Sequence, residues 1–308
     1  MTTTSIEWTQ SDDGTPGKTW NPIRGCSRVS AGCERCYAMH IAARFSGPGQ
    51  PYEGLAKRNP TNWTGDIRLV PEKLAEPLTW KKPCRVFVNS MSDLFHEGVP
   101  DEFIDRVFGV MAKAYWHTFQ VLTKRPERMA EYFSYPYGRG NAVGRIIGAA
   151  KQYPWPGWAM DEVNRGAGWN SFPYPNIWLG TSVENQQAAD DRIWHLLNTP
   201  AAVRFLSVEP LLALVRLGLH RVAIPKHRES WPAERVSNFW VIVGCESGPG
   251  ARSMQEDWVR SIRDECVEAG VSFFFKQALD ARGHKISLPE LDGRRWAEFP
   301  TPRMEVAR

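Results

Sequence analysis

Short apolar runs and amphipathic helical segments alternate along most of this chain, and few architectures accommodate that order. Arg85-Val-Phe-Val-Asn89 is apolar and then polar, as a buried parallel strand reads. Pro100 to Tyr115 follows with Phe103, Ile104, Val107, Val110 and Met111 at helical spacing, and with Asp101 and Glu102 in the first turn. Phe119–Leu122 predicts a strand and Pro126–Tyr132 a helix opened by its proline; Ile177–Gly180 predicts a strand and Asn185–Leu197 a helix. Val203–Leu206, Trp240–Val243 and Val271–Phe275 read as further strands, with a helix from Gln255 to Ala269 that Gly270 would cap. Tyr37–Arg44 also reads as a helix. Residues 1–20 look like a polar lead-in, and residues 47–80 look irregular apart from a short helix beginning at Pro71.

Strands alternating with helices call for a parallel sheet with right-handed crossovers. With a first strand before Cys26 there are about seven strands, the number that suits an α/β fold of the TIM-like (β/α) barrel or partial-barrel kind, mostly parallel. An open doubly wound sheet is the alternative. All 308 residues are assigned to this one domain, with irregular insertions at about 134–175 and 213–238 of the kind that serve as lids or substrate-contact loops.

Composition narrows the function classes. With 42% hydrophobic and 23% charged residues the chain is globular, and 38 Lys and Arg against 34 Asp and Glu leave +4. That mild basic excess, spread along the chain, permits a nucleic acid partner without demanding one. Met1–Trp8 carries neither the basic nor the apolar region of a secretory leader, and no apolar run reaches spanning length. A cytoplasmic protein with no membrane contact is expected.

Three of the six cysteines fall together as Cys26-x6-Cys33-x2-Cys36, with Gly25 and Gly32 just before two of them. Soft thiolates select zinc or iron–sulfur over hard cations. Structural zinc takes four ligands, and His40, one helical turn beyond Cys36, would complete a Cys3His site. A [4Fe–4S] cluster on three cysteines instead leaves one iron open to another ligand. Spacing alone leaves both chemistries open. Cys84, Cys245 and Cys266 show no such pattern.

Reactive groups of a parallel barrel gather where its strands end. Here each predicted strand runs into polar residues: Asn89 and Asp93; Thr123, Lys124 and Arg125; Thr181 and Glu184; Ser207 and Glu209; Glu246 and Ser247 on the turn Gly244–Gly250; and Lys276 with Gln277. Loops are polar in any protein, yet so many charges round one mouth need mutual pairing or a polar ligand.

These segments together resemble a known family. Trp20-Asn-Pro-Ile-Arg-Gly-Cys26, Gly32-Cys33-Glu-Arg-Cys36-Tyr37, Asn89-Ser-Met-Ser-Asp-Leu-Phe95, Leu122-Thr-Lys-Arg-Pro-Glu-Arg128, Leu179-Gly-Thr-Ser-Val-Glu-Asn185, Phe205-Leu-Ser-Val-Glu-Pro210 and Gly244-Cys-Glu-Ser-Gly-Pro-Gly250 are similar to the phage-associated three-cysteine family of uncharacterised proteins. The match runs over about residues 5–130 and 176–298. That family is in turn similar to radical S-adenosylmethionine enzymes, TIM-like barrels with a three-cysteine loop after the first strand.

The resemblance implies a [4Fe–4S] cluster on Cys26, Cys33 and Cys36, whose open iron would bind S-adenosylmethionine. An electron donor would drive its cleavage to methionine and a 5′-deoxyadenosyl radical. Tyr37, Asn89, Thr181, Glu184, Glu246 and Ser247 would then hold the cofactor. Asp93, Lys124, Arg125, Glu209 and Lys276 would orient substrate or move protons. Two departures stand out. The radical-enzyme loop is Cys-x3-Cys-x2-Cys with an aromatic before the last cysteine, where this chain has a six-residue spacer and Arg35. Cys245 stands where the family shows a second glycine. Arg24, Arg28, Arg35 and the aromatic insertion favour a nucleic acid or nucleotide substrate. The rival expectation is a non-enzymatic nucleic-acid-binding protein with a structural zinc site.

Overall fold

In the computed structural model, which describes residues 3–11, 14–134, 141–159, 172–219, 238–248 and 250–300, an eight-stranded sheet forms the centre. Its strands are β1 (Lys18–Trp20), β2 (Arg85–Val88), β3 (Thr118–Thr123), β4 (Ile177–Ser182), β5 (Val203–Val208), β6 (Phe239–Gly244), β7 (Ser272–Leu279) and β8 (Lys285–Ser287). They lie side by side in that order, β1 to β7 parallel and β8 antiparallel to β7. The helices are α1 (Tyr37–Arg44), α2 (Asp101–Lys113), α3 (Pro126–Ser134), α4 (Ala142–Ala150), α5 (Gln186–Asn198) and α6 (Glu256–Ala269).

The fold is therefore mixed α/β with a mostly parallel sheet flanked by helices, and each expected strand is found. The strand order shows no reversal, which a doubly wound sheet requires. No ladder among the described residues joins β1 to β7 or β8, so the expected barrel is not seen to close.

Both faces of the sheet are covered, which is why its central strands are apolar throughout. Every residue of β4 and β6 is buried. Val86, Val88, Val121, Leu179, Val241 and Val243 pack into one core with Phe103, Ile104, Val107 and Phe108 of α2. The other face carries Phe87, Trp178, Phe205, Trp240 and Phe274, gathered round Trp8. The rings of Trp8 and Phe87 lie 4.7 Å apart. Trp8 belongs to a 3-10 turn, Glu7–Thr9, that touches both β2 and β7, and Glu7 reaches β8 through Lys285 at 2.7 Å. The polar lead-in thus supplies a central aromatic of the second core.

Further elements lie in segments that read as irregular. α4 lies in the first insertion, where Asn141 accepts the Gly144 amide as its cap. It packs on α2 so closely that a Cβ at Gly109 would meet the Ala150 nitrogen at 2.8 Å. Within 47–80, Ala56–Arg58 pairs with Thr61–Trp63, and Arg68–Leu69 pairs with Ile23–Arg24. Most of the expected insertion at 213–238 lies outside the described residues. At the end of α6, Gly270 adopts φ 63° and ψ 31°, the left-handed cap its position predicts. Among the described residues, no helix is long and apolar enough to cross a membrane.

Candidate functional site

The stretch between β1 and β2 carries the cysteines over the carboxyl ends of the parallel strands. A cavity of about 130 Å³ opens there, lined by Cys26, Cys33 and Cys36 together with Tyr37, Asn89, Asp93, Lys124, Arg125 and Ser182. His40 is exposed and does not line it; it faces a separate groove with Ser247. Among the described residues, no three His, Cys, Asp or Glu side chains come together closely enough to hold a single metal ion.

Two of the thiols, those of Cys26 and Cys36, are held toward the protonated form. Burial, with Asp93 nearby, pushes Cys26 up to about 12. Burial also raises Cys36, against the pull of the Met39 and Ala38 amides at the start of α1 and of the Lys124 ammonium. Any soft cation they hold must displace their protons, so loading is coupled to pH.

Asn89 is the most telling polar residue. It ends β2 at φ 55°, a left-handed conformation that Asn tolerates better than most side chains. It is 2% exposed, and neither its amide oxygen nor its amide nitrogen has a hydrogen-bond partner among the described residues. A buried amide left unpaired on a cavity wall is costly unless a polar occupant completes it.

The acidic residues behave differently, because arginines already hold them. Asp93 accepts from the Thr123 hydroxyl at 2.7 Å, the Phe95 and Lys124 amides at 3.0 and 3.1 Å, and Arg125 at 3.1 Å. Arg125 also donates to Glu97 at 2.9 Å and to the Ser27 hydroxyl at 2.6 Å, bolting the residue after Cys26 to the end of β3. His96 lies 2.9 Å from the same hydroxyl, and burial with Arg125 nearby holds its imidazole below the usual range.

Glu184 is fully buried and paired with Arg192 of α5 at 2.9 Å. Burial is the largest influence and opposes its charge, but Arg192, Lys124 and hydrogen bonding together outweigh it and hold the carboxyl below the usual range. The cysteine loop rests directly on this pair, since a Cβ at Gly32 would meet the Glu184 carboxyl carbon at 3.2 Å. Glu246 is held by Arg252, whose guanidinium also reaches Glu34 at 2.9 Å and the Ala31 carbonyl at 3.0 Å. Asp93, Glu184 and Glu246 thus brace the loop that carries the thiols.

Thr181 lies on the helix-facing side of β4 with Leu179, and its hydroxyl donates to the Thr123 carbonyl at 2.8 Å. Its neighbour Ser182 lines the cavity instead. Strand residues alternate between faces, so a one-residue shift decides which hydroxyl reaches the site. Ser182, Ser27, Arg192 and Arg252 were not singled out from sequence; alternation from Trp178 would have found the first. The arginines sit at separations that carry no sequence signal.

Tyr37 borders both the cavity and the neighbouring groove, and its hydroxyl donates to the Ser90 carbonyl at 2.5 Å. Glu209 and Lys276 pair with each other at 2.8 Å, outside the cavity wall. Cys245 is buried behind them, and burial with the Glu209 carboxylate pushes its thiol up to about 11. Gly244 makes room for this pair: a Cβ there would stand 2.4 Å from Glu209 Oε1 and 3.1 Å from Gln277 Cγ. Gly244→Ala is expected to cost about 1–3 kcal/mol of stability. Urea unfolding checks this, with Glu209→Ala added to Gly244→Ala expected to recover part of the loss.

With this geometry in view, similarity to known proteins can be stated. The family model described as Protein of unknown function (DUF5131) matches residues 3–300. The chain belongs to this family. The DUF5131 match runs through the insertion at 134–175, which the quoted motifs left outside the resemblance. No curated protein and no solved structure matches the chain.

Proposed function

We propose that this DUF5131 protein is an iron–sulfur enzyme that holds a [4Fe–4S] cluster on Cys26, Cys33 and Cys36 and cleaves S-adenosylmethionine reductively, on a sheet that curls as a partial barrel. The observation that carries this reading is the cavity itself, where three thiols share a wall with the unpaired, buried amide of Asn89. The donor set suits a cluster better than zinc. Each thiolate of a cluster ligates its own iron, so the sulfurs stand further apart than round one tetrahedral ion. The lack of a single-ion arrangement among the described residues, and the position of His40 in another groove, count against a Cys3His zinc site.

A cluster held by Cys26, Cys33 and Cys36 would supply one-electron reductive cleavage of S-adenosylmethionine, the electron coming from a separate donor, and so hydrogen-atom abstraction from substrate. The chain's own residues do the holding. Asn89 offers both a donor and an acceptor at the end of β2. Lys124 lines the cavity, and no carboxylate among the described residues forms an ion pair with it, so its ammonium is available to a cofactor carboxylate. Asp93–Arg125, Glu184–Arg192 and Glu246–Arg252 keep the cysteine loop rigid, which preorganises the ligands.

The experiment is anaerobic incubation of the reconstituted protein with dithionite and S-adenosylmethionine, with chromatography for 5′-deoxyadenosine. The product is expected, and its absence from iron-loaded protein would contradict the reading. Lys124→Met is expected to keep its iron and to slow product formation by about 10²-fold, the scale of losing one preorganised charge.

A further inference from the structure

Next to the cysteine cavity lies a groove of about 820 Å³ whose wall includes Arg35, Tyr37, His40, Ile41, Arg44 and Arg58. Among the described residues, no carboxylate lines it. Tyr37 belongs to both walls, so the two spaces adjoin. Arg58 spends two of its nitrogens on the Ala43 and Arg44 carbonyls, at 2.9 and 3.0 Å, closing the end of α1 while leaving its charge at the groove. Among the described residues, neither Arg44 nor His40 forms an ion pair with a carboxylate.

The segment that builds this groove is basic. Residues 24–68 hold seven Arg and Lys against three Asp and Glu, an excess as large as the +4 of the whole chain. The remainder is balanced. This basic excursion is the same one that carries the three cysteines. It also shows apolar surface: Tyr37 is 48% and Ile41 38% exposed, one helical turn apart on α1, and Phe45 follows at 48%.

We infer that this groove binds single-stranded nucleic acid, with the sugar–phosphate backbone along Arg35, Arg44 and Arg58 and a base stacked on Tyr37 at the mouth of the cysteine cavity. Guanidinium forks match phosphate oxygens, and an exposed aromatic ring beside them gives the stacking platform that strand-binding proteins use. A base stacked on Tyr37 has to be out of a duplex stack, which selects a single strand. The eight-residue α1 offers too little apolar surface to seat in a bilayer, and the groove is concave where a bilayer is flat. The inference rests on the reading of the cysteine cavity as the reactive centre.

Fluorescence anisotropy with a labelled single-stranded oligonucleotide, as DNA and as RNA, tests it, with phosphatidylserine vesicles as a second arm. Binding is expected to weaken steeply with salt. Arg44→Glu is expected to weaken it about tenfold and to lower the salt slope by about 1. Tyr37→Ala is expected to weaken it about tenfold with the slope unchanged. Lys151→Glu, an exposed cation at the end of α4, should change affinity by less than about twofold, as a charge outside the contact does. Equal loss from Lys151→Glu, tighter binding to vesicles than to either strand, or no oligonucleotide binding at low salt would overturn the inference. Iron is measured on the same preparations. Iron-loaded protein that ignores oligonucleotides refutes this inference alone, and binding by protein that cannot take up iron refutes the enzymatic reading alone.

Discussion

Alanine at Cys26, Cys33 or Cys36 is expected to remove bound iron and to abolish 5′-deoxyadenosine formation. The three thiols line one cavity, and burial raises Cys26 and Cys36, so without a cation these two remain protonated and inert. Each ligates a separate iron in the proposed cluster, so no thiolate can substitute for a missing one. Cys245 does not line the cavity and is no spare ligand. Cys84→Ala is the control: Cys84 is buried beside His117, with Sγ 3.4 Å from Nδ1, and plays no part in the cavity. It should retain iron and turnover. Equal loss in Cys84→Ala would show that the effect is one of folding.

A second large effect is expected from Arg192→Met, which leaves the fully buried Glu184 carboxylate without its partner. Removing one member of a buried pair costs about 3–5 kcal/mol. Glu184→Gln in the same chain should restore much of that, because no buried charge then remains. The pH dependence follows from the direction of the Glu184 shift. Its carboxyl is depressed in the folded protein, so the pair stabilises above the unfolded carboxylate range and that contribution fades as pH falls through the folded value. In Arg192→Met burial, the largest influence on this carboxyl, acts with Lys124 but no longer Arg192 to oppose it, so the carboxyl is expected to rise and the variant to lose stability as pH climbs. The gap between the two proteins should therefore narrow from pH 7 toward pH 4, as read by urea unfolding. A gap that stays constant would show that Glu184 carries no charge in the fold. The cysteine loop rests on this pair through Gly32, so the variant should also take up iron less readily.

Much of the architecture is legible in the sequence because buried parallel strands must be apolar on both faces. Phe239-Trp-Val-Ile-Val-Gly244 could scarcely be anything else. α4 was not legible, since Gly144 and Gly148 break its pattern and its support comes from packing on α2. Trp8 was not legible either: nothing in a polar lead-in says that one indole will fill the sheet's second face.

The site divides in the same way. Strand ends point to Asn89, Lys124 and the cysteines, because a strand end fixes position along the sheet. Which face a residue takes needs the register, and there Ser182 rather than Thr181 reaches the cavity. The carboxylates looked like free site groups because their arginines arrive from elsewhere: Arg192 from α5, and Arg252 from the turn that leads into α6.

The central claim is that the three-cysteine cavity holds a cluster. Its most direct test is metal and sulfide analysis of the full chain after anaerobic purification and reconstitution, with the Cys26→Ala/Cys33→Ala/Cys36→Ala variant beside it. The account predicts about four irons and about four sulfides per chain, with visible absorption that the variant lacks. One zinc per chain and no iron after reconstitution would contradict it.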